Sequence, residues 1–205
     1  MSPLTFNDIA HKITAGGVDS WGVAACVAAC AGRLLPEFER FSRRRLVEQR
    51  QSMPIGELLN YIWVCVVSRR VDREGALAAL RSCEEQIPDE SAADVVGCPY
   101  AEDAAAAVAY CLRFLLSAER QDAVWAAQRA YEATDNYVIR QFNIDASSVD
   151  GEREVLGSPT VQRELGRQLR DLLEVEAIGG DLGKYGPTCT MLRDRAAKEA
   201  ASVFT

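Results

Sequence analysis

Histidine is almost absent from this sequence of 205 residues, which contains only His11. A catalytic site built on a Ser-His-Asp or Cys-His arrangement would have to use that residue, and the sequence indicates no partner for it. Di-iron sites in helical bundles need inward-pointing Glu-x-x-His pairs, and the sequence has none. We therefore expect no catalytic residues, no metal and no cofactor, and interpret the protein as a non-enzyme.

Long apolar runs are also lacking. No stretch approaches the roughly 20 consecutive apolar residues that a membrane-spanning helix needs. The opening residues, MSPLTFNDIA, lack the basic region and apolar run of a secretory signal. The cysteines are odd in number and lie mostly in apolar helical patterns, where free thiols in a reducing compartment act as small hydrophobes. These features predict a cytoplasmic protein. The seven cysteines are Cys26, Cys30, Cys65, Cys83, Cys98, Cys111 and Cys189.

Strand-like alternation of polar and apolar residues is missing too, and helical spacing replaces it. Residues 21–36, WGVAACVAACAGRLLP, are rich in alanine and carry no charge before Arg33. They predict a helix that is buried on all sides, with the other helices packed around it. We expect this helix to end or bend at Pro36, which has no N–H to donate. The fold class predicted is an all-α bundle of about eight or nine helices without a sheet, in one domain over residues 1–205.

Two stretches are predicted to be loops. Residues 143–157 are polar, and residues 179–187 are rich in glycine. The second contains Gly183-Lys184 but has Ile178 and Tyr185 where a phosphate-binding loop needs Gly and Ser or Thr. We therefore interpret it as a connection, so that residues 176–205 form a loop plus a C-terminal helix.

The net charge of −7 comes from one segment. Residues 82–112 contain seven acidic and no basic side chains, whereas the rest of the chain has 23 of each sign. One interpretation is a solvated turn followed by a helix start, where acids favour the helix dipole. The other is a binding surface, because dense negative charge attracts a basic protein and repels nucleic acid and anionic membranes. We favour a basic, toxin-like protein partner, and expect neither nucleic acid nor membrane. The residues assigned to partner binding are Glu84, Glu85, Asp89, Glu90 and Asp94.

Two alternatives remain open at this point. A small-ligand protein or enzyme could have a pocket between helices, formed by Arg33, Tyr100 and Asp103. A homodimer could also form if the arginine-rich residues 40–50 bind the acidic segment of a second copy, although the glutamates among them favour a solvated helix face.

Several motifs in a fixed order resemble a known family. The segment WGVAACVAACAGRLLPEFERF at residues 21–41 is similar to a signature of Trp, small residues, Arg-Leu-Leu-Pro and aromatic residues. Further similar segments follow at 59–63, 84–88, 97–105 and 158–173, so the resemblance covers about residues 18–175. The family is the YjaG-like family of uncharacterised bacterial proteins, domain of unknown function 416.

The resemblance implies a helical bundle without an established reaction. Small acidic helical proteins of this kind also occur as immunity proteins encoded beside bacterial toxins, which leads us to expect an immunity-type inhibitor. This chain departs from the family in having Gly32 where a Glu is usual and Val64 where an acid is usual. If those acids serve a shared activity, this member lacks it.

Overall fold

The computed structural model describes residues 3–45, 53–88 and 98–204, apart from the side chains of residues 44, 45 and 98. These residues form nine α-helices and no strand, which confirms the all-α prediction. None of these helices is both long and apolar enough to cross a membrane. The elements are α1 (Phe6–Thr14), α2 (Ser20–Arg45), α3 (Ile55–Ser68), α4 (Arg73–Glu84), α5 (Cys98–Ser117), α6 (Arg120–Phe142), α7 (Val149–Gly157), α8 (Pro159–Ala177), α9 (Leu182–Glu199) and a 3₁₀ turn (Ala200–Ser202).

Helix α2 is the centre of the bundle. It packs against α3, α5, α6, α8 and α9, and every residue from 22 to 31 is buried. Small side chains let its neighbours come close, since a Cβ at Gly22 would collide with Val175 of α8. The prediction of a central helix buried on all sides is confirmed.

Of the expected end or bend at Pro36, the end is wrong, because α2 continues to Arg45. A proline inside a helix costs about 3 kcal/mol through its missing hydrogen bond and its ring. Phe38 and Phe41, just beyond it, are both buried. Burial of one such side chain is worth about 1.5–3 kcal/mol, so the two together offset the cost of the proline.

The two predicted loops are also partly helical. Residues 149–157 form α7, whose start is capped by Ser148: its hydroxyl accepts a hydrogen bond from the Gly151 N–H. Helix α9 begins at Leu182, five residues before the predicted end of the second loop. The buried Tyr185 anchors this first turn, because its hydroxyl donates to the carbonyl oxygens of Trp21 and Val66.

Candidate functional site

The acidic segment begins where α4 ends. Glu84 is the last residue of α4 and Glu85 is its C-cap, and both side chains are exposed. Asp89, Glu90 and Asp94 lie outside the described residues. A helix C-terminus carries partial negative charge, so a carboxylate there is disfavoured by about 0.3–1 kcal/mol. Local helix electrostatics therefore do not account for the position of these two glutamates.

Arg33, by contrast, lies in a buried ion pair. Its side chain is 1% exposed, and its Nε and Nη2 both donate to the carboxylate of Glu164 at 2.9–3.2 Å. Its Nη1 donates to Asp171 at 3.0 Å, and its Nη2 also lies 3.3 Å from the sulfur of Cys30. Burial alone would lower the pKa of Arg33, but the carboxylates hold that pKa well above its ordinary value. The guanidinium therefore stays charged inside the protein.

Further arginines surround this pair. Asp171 also accepts hydrogen bonds from Arg170 and Arg195, at 2.9 and 2.7 Å. Arg195 also donates a hydrogen bond to the carboxylate of Glu174, and the guanidinium of Arg170 lies 2.9 Å from the carboxylate of Glu199. We call this group the α2–α8–α9 network after the helices that it joins. Its eight members are Arg33, Arg167, Arg170, Arg195, Glu164, Asp171, Glu174 and Glu199.

The network is electrically balanced, with four arginines and four carboxylates. Charges taken out of water are tolerated when they are paired and hydrogen-bonded, and removal of one partner is strongly destabilising. All three nitrogens of Arg33 have partners within the chain, so no face of its guanidinium is open to a ligand. The arrangement holds α8 and α9 against α2.

The other two residues of the candidate pocket lie near the start of α5. Asp103 is 7% exposed, and its carboxylate lies 3.4 Å from Nη1 of Arg129 on α6. Burial raises the pKa of Asp103 to about 7, and Arg129 only partly opposes that shift. The ring of Tyr100 packs on Phe204 with centroids 4.9 Å apart. The structure thus places Tyr100 and Asp103 one turn apart, whereas Arg33 has other partners.

At least two surface clefts are formed by the described residues. One, of about 740 Å³, follows the outer face of α9 past Met191 and Arg195. The other, of about 450 Å³, lies between the Gly16-Gly17 and Gly179-Gly180 turns. Neither cleft is lined by Arg33, Tyr100 or Asp103.

The thiols are part of the interior. The six cysteines whose side chains are described are buried and free, and burial raises the pKa of Cys30 to about 12. A thiol in such surroundings stays protonated and is a poor nucleophile or metal ligand. The described part of the chain also contains no group of three or more His, Cys, Asp or Glu residues that could hold a metal ion.

The structure also shows an exposed aromatic cluster that the sequence did not suggest. It consists of Tyr110 and Arg113 of α5 and Trp125 of α6. The two rings lie 5.4 Å apart, and the guanidinium of Arg113 lies 5.5 Å from the Tyr110 centroid and 5.8 Å from that of Trp125. The spacing of Tyr110 and Arg113 indicates one face of α5, but only the packing of α5 on α6 brings Trp125 beside them.

A family model described as "Protein of unknown function (DUF416)" matches residues 14–182. The chain belongs to the DUF416 family. A crystal structure of a DUF416 family protein from Shewanella baltica OS155 is similar, with a TM-score of 0.74 and 16% sequence identity over 94% of this chain and 93% of that chain. At that identity the likeness shows the fold alone. No curated protein matches the chain significantly. The family predicted from the ordered motifs is confirmed.

Proposed function

We propose that this DUF416 protein is a non-catalytic binding module, most concretely an immunity-type inhibitor of a basic, toxin-like protein. Its acidic surface is defined by Glu84, Glu85, Asp89, Glu90 and Asp94. The observation that carries the proposal is the exposure of Glu84 and Glu85 at the C-terminal end of α4.

The charge at this place is disfavoured within the chain. Both glutamates face the negative end of a helix dipole, and residues 82–112 contain no basic side chain. A basic partner would bring positive charge to a segment whose charged side chains are all acidic.

A nuclease toxin fits this surface chemically. Its cleft must be basic to hold phosphates, so an acidic protein can occupy the cleft and exclude the nucleic acid. Complementary charge raises association rates by on the order of 10- to 1,000-fold, and salt weakens that effect. The inhibitor would bind in a fixed ratio and would not turn over.

The test is capture of the partner by tagged protein from host lysate, at two salt concentrations, with identification by mass spectrometry. We expect one basic protein to bind at about 0.1 M salt and to be released at about 1 M, where the screening length falls from about 10 Å to about 3 Å. The variant that matters replaces the whole acidic surface with amides: Glu84→Gln, Glu85→Gln, Asp89→Asn, Glu90→Gln and Asp94→Asn. This variant should capture nothing.

A matched control removes the same number of glutamates and aspartates from other exposed positions, so both variants have the same net charge. Its changes are Glu57→Gln, Glu74→Gln, Glu154→Gln, Asp150→Asn and Asp194→Asn. The control should bind like the natural protein. Equal capture by the two variants, or recovery of the protein alone or as a homodimer, would contradict the proposal.

A further inference from the structure

The exposed face of α5 runs from Glu102 to the aromatic cluster. Between Ala101 and Phe114 only Glu102 and Arg113 are exposed, and only Ala106 and Tyr110 are half-buried. These four residues follow one another at intervals of four, four and three, so they lie on one face of the helix. Glu102 and Tyr110 are about 12 Å apart along the axis, at about 1.5 Å per residue.

The aromatic cluster is already held in place. Nε of Arg113 lies 3.2 Å from the carboxylate of Asp122, which is buried and also accepts a hydrogen bond from the Ser117 hydroxyl. The pair with Asp122 neutralises Arg113, so this arginine need not repel a basic partner. Its guanidinium lies over both rings, and the indole of Trp125 remains 36% exposed.

This composition is that of an interface anchor. Trp, Tyr and Arg are the residues most enriched where truncation costs the most binding energy. Charges at an interface mainly set the association rate, whereas buried aromatic contacts set how long a complex lasts. The described end of the acidic surface lies beside the same helix, because the thiol of Cys83, next to Glu84, is 3.4 Å from the carbonyl oxygen of Ala105 on α5. One partner's share of a standard interface is about 800 Å², a patch roughly 28 Å across.

We propose that the aromatic cluster of Tyr110, Arg113 and Trp125 is the apolar anchor of the interface whose acidic part attracts the basic partner. The inference rests on the proposed function, because it assigns a second contact to the same partner. The partner must then present an apolar side chain beside its basic surface. The acidic surface governs association, and the aromatic cluster governs dissociation.

The experiment uses two dye-labelled peptides and the full chain, with fluorescence anisotropy as the readout. One probe is a lysine–serine repeat, and the other is the same peptide with leucines in place of its central serines. For the natural protein we expect the leucine peptide to bind more tightly. Trp125→Ala should lower the affinity for that peptide about tenfold, which corresponds to the loss of one anchor contact. It should leave the affinity for the lysine–serine peptide unchanged.

Phe142→Ala is the matched control, since Phe142 is 65% exposed at the other end of α6. It should change neither affinity. Thermal unfolding checks each variant, and Trp125→Gln replaces Trp125→Ala if the latter melts at a lower temperature.

The outcomes separate the two proposals. Equal binding of the leucine peptide by the natural protein and the Trp125 variants would overturn the anchor, as would equal binding of the two peptides by the natural protein. The proposed function fails instead if removal of the five acids leaves both affinities unchanged. Both proposals are supported if the five-acid variant binds neither peptide and the Trp125 variants bind the leucine peptide no more tightly than the lysine–serine peptide.

Discussion

The α2–α8–α9 network and the acidic surface are both rich in charge, but they differ in balance and in burial. The network has four charges of each sign, and its central pair, Arg33 with Glu164, is almost completely enclosed. The acidic surface has one sign only, and its described members, Glu84 and Glu85, are exposed. The network pairs its charges with one another within the fold, whereas the two described glutamates have side chains exposed to solvent.

The comparison predicts its largest effect inside the network. Arg33→Met leaves the carboxylate of Glu164 buried without its main partner and removes one of three arginines from Asp171. It should lower the free energy of unfolding by about 3–5 kcal/mol. Urea unfolding measures the change. Arg40→Met is the matched control on the same helix: that side chain is 53% exposed, and an exposed ion pair is worth about 1 kcal/mol at most. Equal losses in the two variants would show that burial does not distinguish these arginines.

Asp103 sharpens the comparison, because it belongs to the acidic segment but is buried. Its folded pKa of about 7 lies above its ordinary value of 3.8, so the folded state binds the extra proton between those values. Its contribution to stability is therefore lost as pH rises from about 4 to about 7, by at most roughly 4 kcal/mol at about 1.36 kcal/mol per pKa unit.

Asp103→Asn should remove that loss, so that the variant gains stability relative to the natural protein as pH rises through this window. Urea unfolding at a series of pH values gives the difference curve. A flat curve for Asp103→Asn would mean that burial does not disfavour its charge.

The smallest effect concerns the two ends of α4. Glu74 lies in its first turn, where the dipole favours an acid, and Glu84 is its last residue. Glu74→Gln should lower the free energy of unfolding, and Glu84→Gln should raise it, each by about 0.3–1 kcal/mol at low salt. Thermal unfolding of the two variants at matched salt measures both shifts. Shifts of the same sign would contradict the argument that the dipole of α4 disfavours the charge of Glu84.

The sequence predicted the central helix well, because alanine content and missing charge are local properties of residues 21–36. It was wrong to allow an end at Pro36, where the burial of Phe38 and Phe41 offsets a local helix breaker. It also missed α7, whose start depends on a single cap at Ser148. These errors occur where packing or one hydrogen bond overrides composition.

The sites were harder to predict than the fold. Arg33 was assigned to a candidate pocket with Tyr100 and Asp103, but its partners Glu164 and Asp171 are 131 and 138 positions away. A single sequence gives no sign of which distant acids will meet it. The aromatic cluster was missed for the same reason, because Trp125 joins Tyr110 only through the packing of α5 on α6.

The most direct test of the central claim measures partner affinity and unfolding free energy on the same two variants, under conditions in which both are folded. The five-acid variant should lose affinity for the captured basic partner and keep its stability. Arg33→Met should lose stability and keep its affinity. The account is contradicted if the five-acid variant keeps its affinity, or if Arg33→Met loses affinity while still folded. In either case the acidic surface would not serve binding alone, or the α2–α8–α9 network would not serve stability alone.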